Sequence, residues 1–184
     1  VSAGNAGSDN LTFIDPGSGF EIHPLPASRD AEAAVILAPA TGAGTPEAAQ
    51  AVLDEVRAGG GDRVFGGTLR GDLVGVYGLR RDGMANEVAI IAVAEGHRRR
   101  GIGRLLLQDA LRRSGKRPLV AETDDEGLAF YKACGFKLVG RRKHPSGVFR
   151  YRVGWHAPGL RFKGGSTGAV AHQPVKPTER NGPR

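Results

Sequence analysis

A single cysteine, Cys134, stands among 184 residues, so no intrachain disulfide can form and nothing marks the chain for an oxidising compartment. Long hydrophobic runs are missing too. No stretch approaches the roughly 20 apolar residues that span a bilayer, and the opening VSAGNAGSDN lacks the basic-then-apolar order of a signal peptide. The expected setting is cytoplasmic, with neither export nor membrane insertion. Aromatic residues are scarce, at 6%, and no basic stripe is interleaved with them, which argues against a nucleic-acid binder. There is no internal repeat, no heptad pattern, no Cys/His metal spacing and no GxxxxGK[ST] loop. These absences remove zinc fingers, zinc hydrolases and P-loop NTPases, and no metal is expected.

What is present is the composition of a soluble globular protein, 40% apolar and 24% charged, at the length of one domain with ragged ends. The formal charge is +7, and residues 157–184 hold five basic side chains against one acidic. Four of the seven net charges therefore sit in that tail, where Gly, Pro and lone charges replace any apolar period. Residues 1–19, rich in Gly, Ser, Asn and Asp, read as a flexible leader, which leaves residues 20–156 as the folded unit.

Within that unit FEIHPL (residues 20–25) alternates as a strand does, and Ser28 is placed to cap a short helix over residues 29–37. Thr45-Pro46 opens an amphipathic helix reaching Arg57. Residues 63–69 and 73–79 form two strands around the turn Arg70-Gly71-Asp72, and EVAIIAV (87–93) is apolar enough for a central strand. A helix follows over residues 101–113, with Ile102, Leu105, Leu106 and Leu111 on its buried face and Arg104, Gln108 and Arg112 forming a wet stripe. A strand at 118–121, a helix at 126–133 and a hairpin of 137–142 with 148–155 complete the order β-α-α-β-β-β-α-β-α-β-β.

The chemistry starts at HRRRGIGRLLL (97–107), where a strand runs through a turn into a helix. Such a turn aims unpaired backbone N–H groups at one point with the positive end of the helix dipole behind them. Gly101 and Gly103 leave the backbone open, and Arg98, Arg99, Arg100 and Arg104 offer guanidinium groups to phosphate oxygens. The ligand expected from these residues is a pyrophosphate.

Arg98-Arg99-Arg100-Gly101-Ile102-Gly103 after EVAIIAV resembles the coenzyme A signature R-x-x-G-x-G of the GNAT (GCN5-related) N-acetyltransferases. About thirty residues on, Leu128-Ala129-Phe130-Tyr131, then Lys132-Ala133-Cys134 and Gly135-Phe136, resembles that family's second motif. The resemblance implies an α/β (α+β) GNAT fold. Its central sheet would be mixed but mostly antiparallel, with six to seven strands flanked by about four helices and a splay between the fourth and fifth strands. It also implies an acetyl-CoA cosubstrate, with pantetheine along Ile91-Ala92-Val93, pyrophosphate at residues 98–104 including Ile102, and Phe130 beside it. The facing strand, 118–122, leads into Glu122-Thr123-Asp124-Asp125 where many relatives carry Asn, so a pantetheine bond from that Asn is not expected here.

The implied activity is direct transfer of an acetyl group to a primary amine of a small molecule or protein. Glu87, eleven residues before Arg98, stands where many relatives hold a base acting directly or through water. Otherwise it is a strand-end carboxylate facing solvent or held in a salt bridge. Tyr131 resembles the family's donor to the leaving sulfur, or is a core aromatic beside Phe130, and the backbone N–H of Val93 is the expected oxyanion donor. His97, His144 and Cys134 match no family role, and Asp124, Asp125 and Glu126 either draw a cationic acceptor to the mouth of the cleft or, the favoured reading, serve helix capping and the dipole. A non-catalytic acyl-CoA sensor and a basic nucleic-acid binder are the competing readings. The acceptor's identity and a homodimer both stay open.

Overall fold

In the computed structural model the described residues are 13–15, 19–60, 63–144 and 147–156. The expected tail and most of the expected leader lie outside them. The elements are β1 (Phe13–Asp15), β2 (Phe20–Pro24), α1 (Asp30–Leu37), α2 (Pro46–Ala58), β3 (Val64–Leu69), β4 (Asp72–Asp82) and β5 (Ala85–Val93). After these come α3 (Ile102–Ser114), β6 (Leu119–Thr123), α4 (Asp125–Ala133), β7 (Lys137–Lys143) and β8 (Phe149–Trp155).

All eight strands form one sheet in the order β1-β2-β3-β4-β5-β6-β8-β7. The mixed, mostly antiparallel sheet and four helices match expectation, with one strand more than the six to seven foreseen. That extra strand is β1, which pairs antiparallel with β2 from inside the segment read as leader. Three residues are too few to show a period of two. Among the described residues only β5 and β6 run parallel, because α3 carries the chain across between them.

Apolar side chains leave both faces of the sheet, and a helix pair covers each. Leu37 of α1 with Leu53 and Val56 of α2 packs on Val64, Val76 and Ile90. On the opposite face Leu106 and Leu107 of α3 and Tyr131 of α4 pack on Phe65, Tyr77 and Leu119. Adjacent residues Val76 and Tyr77 serve opposite cores, as strand alternation requires. Leu106 sits so close to the sheet that a Cβ on Gly75 would come within 2.9 Å of it, which accounts for a glycine in the middle of a buried strand.

Helix starts follow capping chemistry, with one correction. Thr45 Oγ1 accepts from the Ala48 N–H at 3.3 Å and Pro46 takes the first helical position of α2. The Asp124 carboxylate accepts from the Gly127 N–H at 3.0 Å and caps α4. Ser28 caps nothing: it lies inside a 3-10 turn, Ala27–Arg29, and α1 begins at Asp30 without a side-chain cap. The buried face of α3 also differs. Leu107, Asp109 and Ala110 are buried with Ile102 and Leu106, while Leu105 and Leu111 are only partly covered. The rotation has a polar cause. Tyr77 Oη donates to Asp109 Oδ2 at 2.6 Å, Arg113 Nε donates to the same oxygen at 2.7 Å, and Arg112 also bonds this carboxylate. Asp109 is thereby fully buried with its charge compensated, which draws its side of the helix inward. Among the described residues no helix is long and apolar enough to cross a membrane.

Candidate active site

β5 holds the middle of the site because it has two different neighbours. Antiparallel to β4 it pairs along its whole length, but its parallel partnership with β6 covers only Asn86, Glu87 and Val88. At that point a residue is inserted: Gly78 faces Ile90 and Leu79 faces Val88, so Ala89 is an unmatched bulge. A bulge bends its strand and raises the local twist, and β5 leaves β6 there. The expected splay between the strands holding 87–93 and 118–122 is thus located at Ala89.

Past the bulge, hydrogen bonding in the β4–β5 ladder determines which backbone groups are left over. The Ala94 N–H donates to Val74 O at 2.9 Å, and the partner pairs that follow include Gly75 with Val93 and Tyr77 with Ile91. Antiparallel pairs alternate between bonded and non-bonded, so Val93 and Ile91 turn their N–H and C=O groups away from β4 into the splay. The Val93 carbonyl confirms the direction, since it accepts from Arg98 Nε at 3.1 Å.

A cavity of about 740 Å³ occupies the splay. One wall is β5 from Val88 to Val93, the other is the start of α4 with Phe130 and Tyr131, and the turn before α3 closes one end. In that turn Arg99 (φ 59°) and Gly101 (φ 84°) are both left-handed, which curls successive amides into a concave row of donors ahead of α3. Arg98, Arg99 and Arg104 line the cavity at this end. Arg100 is exposed but not on its wall, and Ile102, buried under the turn, does not line the cavity either. Gly103 has a second role beyond openness: a Cβ there would meet the Phe130 ring at 3.2 Å, so the missing side chain lets α4 close against α3.

The two expected proton-transfer residues lie differently. Tyr131 is 5% exposed, packed edge-on against Phe130 and Phe136, and on the cavity wall. Burial raises its phenol above the ordinary value, with smaller contributions from Cys134 and Glu87, so it is a neutral donor at physiological pH. Glu87 does not line this cavity. It opens onto a smaller adjoining one of about 310 Å³ that shares Val88, Ala89, Glu122, Arg150 and Ala40 with the first. Its carboxylate, buried to 7% exposure, accepts from Arg80 Nε at 2.8 Å, and Arg80 NH1 also reaches Glu55 at 2.7 Å. Arg80 was not legible as a site residue in the sequence. It is the cross-strand partner of Glu87, and only the hairpin register brings it there.

Of the residues set aside, His97 and Cys134 line the larger cavity and His144 the smaller. Burial raises the Cys134 thiol against a lowering by Arg104, so it lacks the depressed pKa of an activated nucleophile. Arg150, which carried no signal in the sequence, stands where the two cavities meet.

Comparison with known proteins finds the same open, splayed sheet in acetyltransferases. Residues 60–138 match the family model described as acetyltransferase (GNAT) domain. Among solved structures, a GNAT-family acetyltransferase of Elizabethkingia anophelis with acetyl-CoA bound is 20% identical, at TM-score 0.60 over 76% of this chain and 99% of that one. A protein assigned to the GNAT family from Desulfovibrio desulfuricans is 27% identical, at TM-score 0.58 over 74% and 97%. The ribosomal-protein-S18-alanine N-acetyltransferase of Escherichia coli is 21% identical, at TM-score 0.57 over 78% and 99%. Residues 60–138 are thus similar to the GNAT acetyltransferase domain, and the fold is the one these solved acetyltransferases share.

Proposed function

We propose that this protein transfers an acetyl group from acetyl-CoA to a primary amine by direct attack. The observation carrying this reading is the edge of β5 beyond its pairing with β6: Ile91 and the Val93 N–H turn away from β4 toward a cavity that ends on the donor-rich turn at Arg98–Arg104. A pantetheine amide chain suits the first and a pyrophosphate the second. The solved E. anophelis relative carries acetyl-CoA, which supports this choice of ligand.

An amine of ordinary pKa near 10.4 is ~3.4 units above neutral pH, a deficit of roughly 4–5 kcal/mol that a base must offset. Glu87, reached from the smaller cavity, takes that proton through water, and Arg80 holds the carboxylate in place. Its Oε1 is free to accept, since Arg80 bonds Oε2. The amine nitrogen forms its bond to the acetyl carbon while the oxyanion is met by the Val93 N–H, with that of Ile91 aimed the same way. The carbon–sulfur bond then breaks and Tyr131 donates to the departing sulfur, regaining through water the proton that Glu87 took from the amine. Placing both reactants in one cleft supplies much of the remaining acceleration.

Calorimetric titration with acetyl-CoA tests the cofactor half of this reading. Gly103→Glu should abolish binding, because its side chain collides with Phe130 and its charge repels phosphate. Unchanged affinity in that variant would mean the site is misplaced. Turnover with an amine panel separates the enzyme from a non-catalytic acyl-CoA sensor.

A further inference from the structure

The smaller cavity joins the larger one at the end remote from the phosphate turn, and it is walled mainly by charged groups: Arg80, Glu87, Glu122, Arg142 and Arg150, with His144 completing it. Those charges are not equally committed. Arg80 bonds Glu87 at 2.8 Å and Glu55 at 2.7 Å, and Arg142 bonds Glu122 at 2.7 Å. Both carboxylates of the wall are thus already paired with a guanidinium. Arg150 is the exception. Its side chain makes no hydrogen bond among the described residues, and its one ion pair, to Asp124, is long at 3.9 Å. Asp124 is itself engaged in capping α4. Glu126 is the remaining carboxylate nearby, on the first turn of α4 and facing the larger cavity only.

We infer that the acceptor amine carries a carboxylate, which Arg150 binds at the junction of the two cavities. This deepens the acetyl-transfer reading above and rests on it. A half-buried guanidinium with its donors unspent favours a planar oxyanion that it can engage through two parallel bonds. Arg150 projects from β8, where it faces Arg142 in the ladder with β7, so the anchor sits on a strand rather than a loop. The amine end then points along the shared wall of Val88 and Ala89 toward the bulge of β5, where the splay and the free backbone edge begin. Compensation of Glu87 and Glu122 by Arg80 and Arg142 removes the repulsion that a carboxylate would otherwise meet there. A volume of about 310 Å³ suits a free amino acid, with the amine and carboxylate on one small skeleton. In the reaction that amine loses a proton, gains the acetyl group and leaves the acid as its N-acetyl derivative, while coenzyme A departs as the thiol.

The test pairs α-, β- and γ-amino acids with their carboxamides at saturating acetyl-CoA, after calorimetry on the wild-type protein has measured acetyl-CoA binding. At least one free acid should be acetylated with kcat/KM about tenfold or more above its amide. Arg150→Gln should raise KM for that acid by about tenfold to a hundredfold, leave KM for the amide unchanged, and be partly restored by Arg150→Lys. If acetyl-CoA binds but the amides are used as well as the acids, or neither series is acetylated, or Arg150→Gln affects both alike, the carboxylate assignment is wrong and the cofactor reading stands. Failure of the wild-type protein to bind acetyl-CoA overturns both.

Discussion

Removing the Asp109 side chain should destabilise this fold more than almost any other single polar change, and the structure allows the size to be worked out. The carboxylate is fully buried and accepts from Tyr77 Oη at 2.6 Å and Arg113 Nε at 2.7 Å, with Arg112 as a further partner. In Asp109→Ala the Tyr77 hydroxyl, also fully buried, loses its acceptor, which costs about 1–3 kcal/mol. Arg113, which lies 4.1 Å over the Phe65 ring, loses its bond to this carboxylate, and taking one partner from a buried ion pair typically costs about 3–5 kcal/mol in total. Arg112 is 38% exposed and adds little. We expect a loss of about 3–5 kcal/mol in denaturant unfolding at pH 7, or a fall in Tm of roughly 6–20 °C. Tyr77→Phe, which leaves both arginines on Asp109, should cost only about 1–2 kcal/mol. The double variant should cost less than the sum of the two, because no orphaned hydroxyl remains. A loss under about 1 kcal/mol for Asp109→Ala, or strict additivity, would refute the account of a charged and mutually dependent cluster.

Further outcomes follow from the same geometry. Tyr131→Phe should slow single turnover by about 10²–10⁴-fold with little change in acetyl-CoA affinity, measured by quenched flow at saturating acceptor. Glu87→Gln should slow turnover most at low pH, where few amines are neutral, and its defect should shrink as pH rises, which a pH–rate profile will show. The raised phenols of Tyr77 and Tyr131 give stability that is complete below about pH 10, where unfolded tyrosine keeps its proton. Above that pH only the unfolded chain ionises, so stability should fall, and fall less steeply in Tyr77→Phe; thermal melts across pH 8 to about 11 check this. Acetyl-CoA at 100 times its Kd should stabilise the fold by about 2.7 kcal/mol, read as a Tm shift that Gly103→Glu abolishes.

Local chemistry was legible in the sequence wherever neighbours along the chain suffice to determine it. The turn at residues 98–103 is a contiguous segment, so its glycines, its arginines and the helix behind it can be read together, as an expected anion site, without tertiary information. Thr45-Pro46 and Asp124 declare helix starts for the same reason, through bonds spanning three residues. The order of strands and helices also followed, because the periods of 2 and 3.6 are written along the chain. What the sequence could not supply were relations set by register. Arg80 meets Glu87, Tyr77 meets Asp109, and Ala89 becomes a bulge only once β4, β5 and α3 are aligned. The buried face of α3 was misjudged because a charged Asp109 reads as a surface residue until its three partners are in place. Arg150 is the extreme case. Nothing near it in sequence sets it apart from the chain's many other arginines, and its distinction is that folding pairs its neighbours with carboxylates and leaves it at the junction of two cavities with no side-chain hydrogen bond among the described residues.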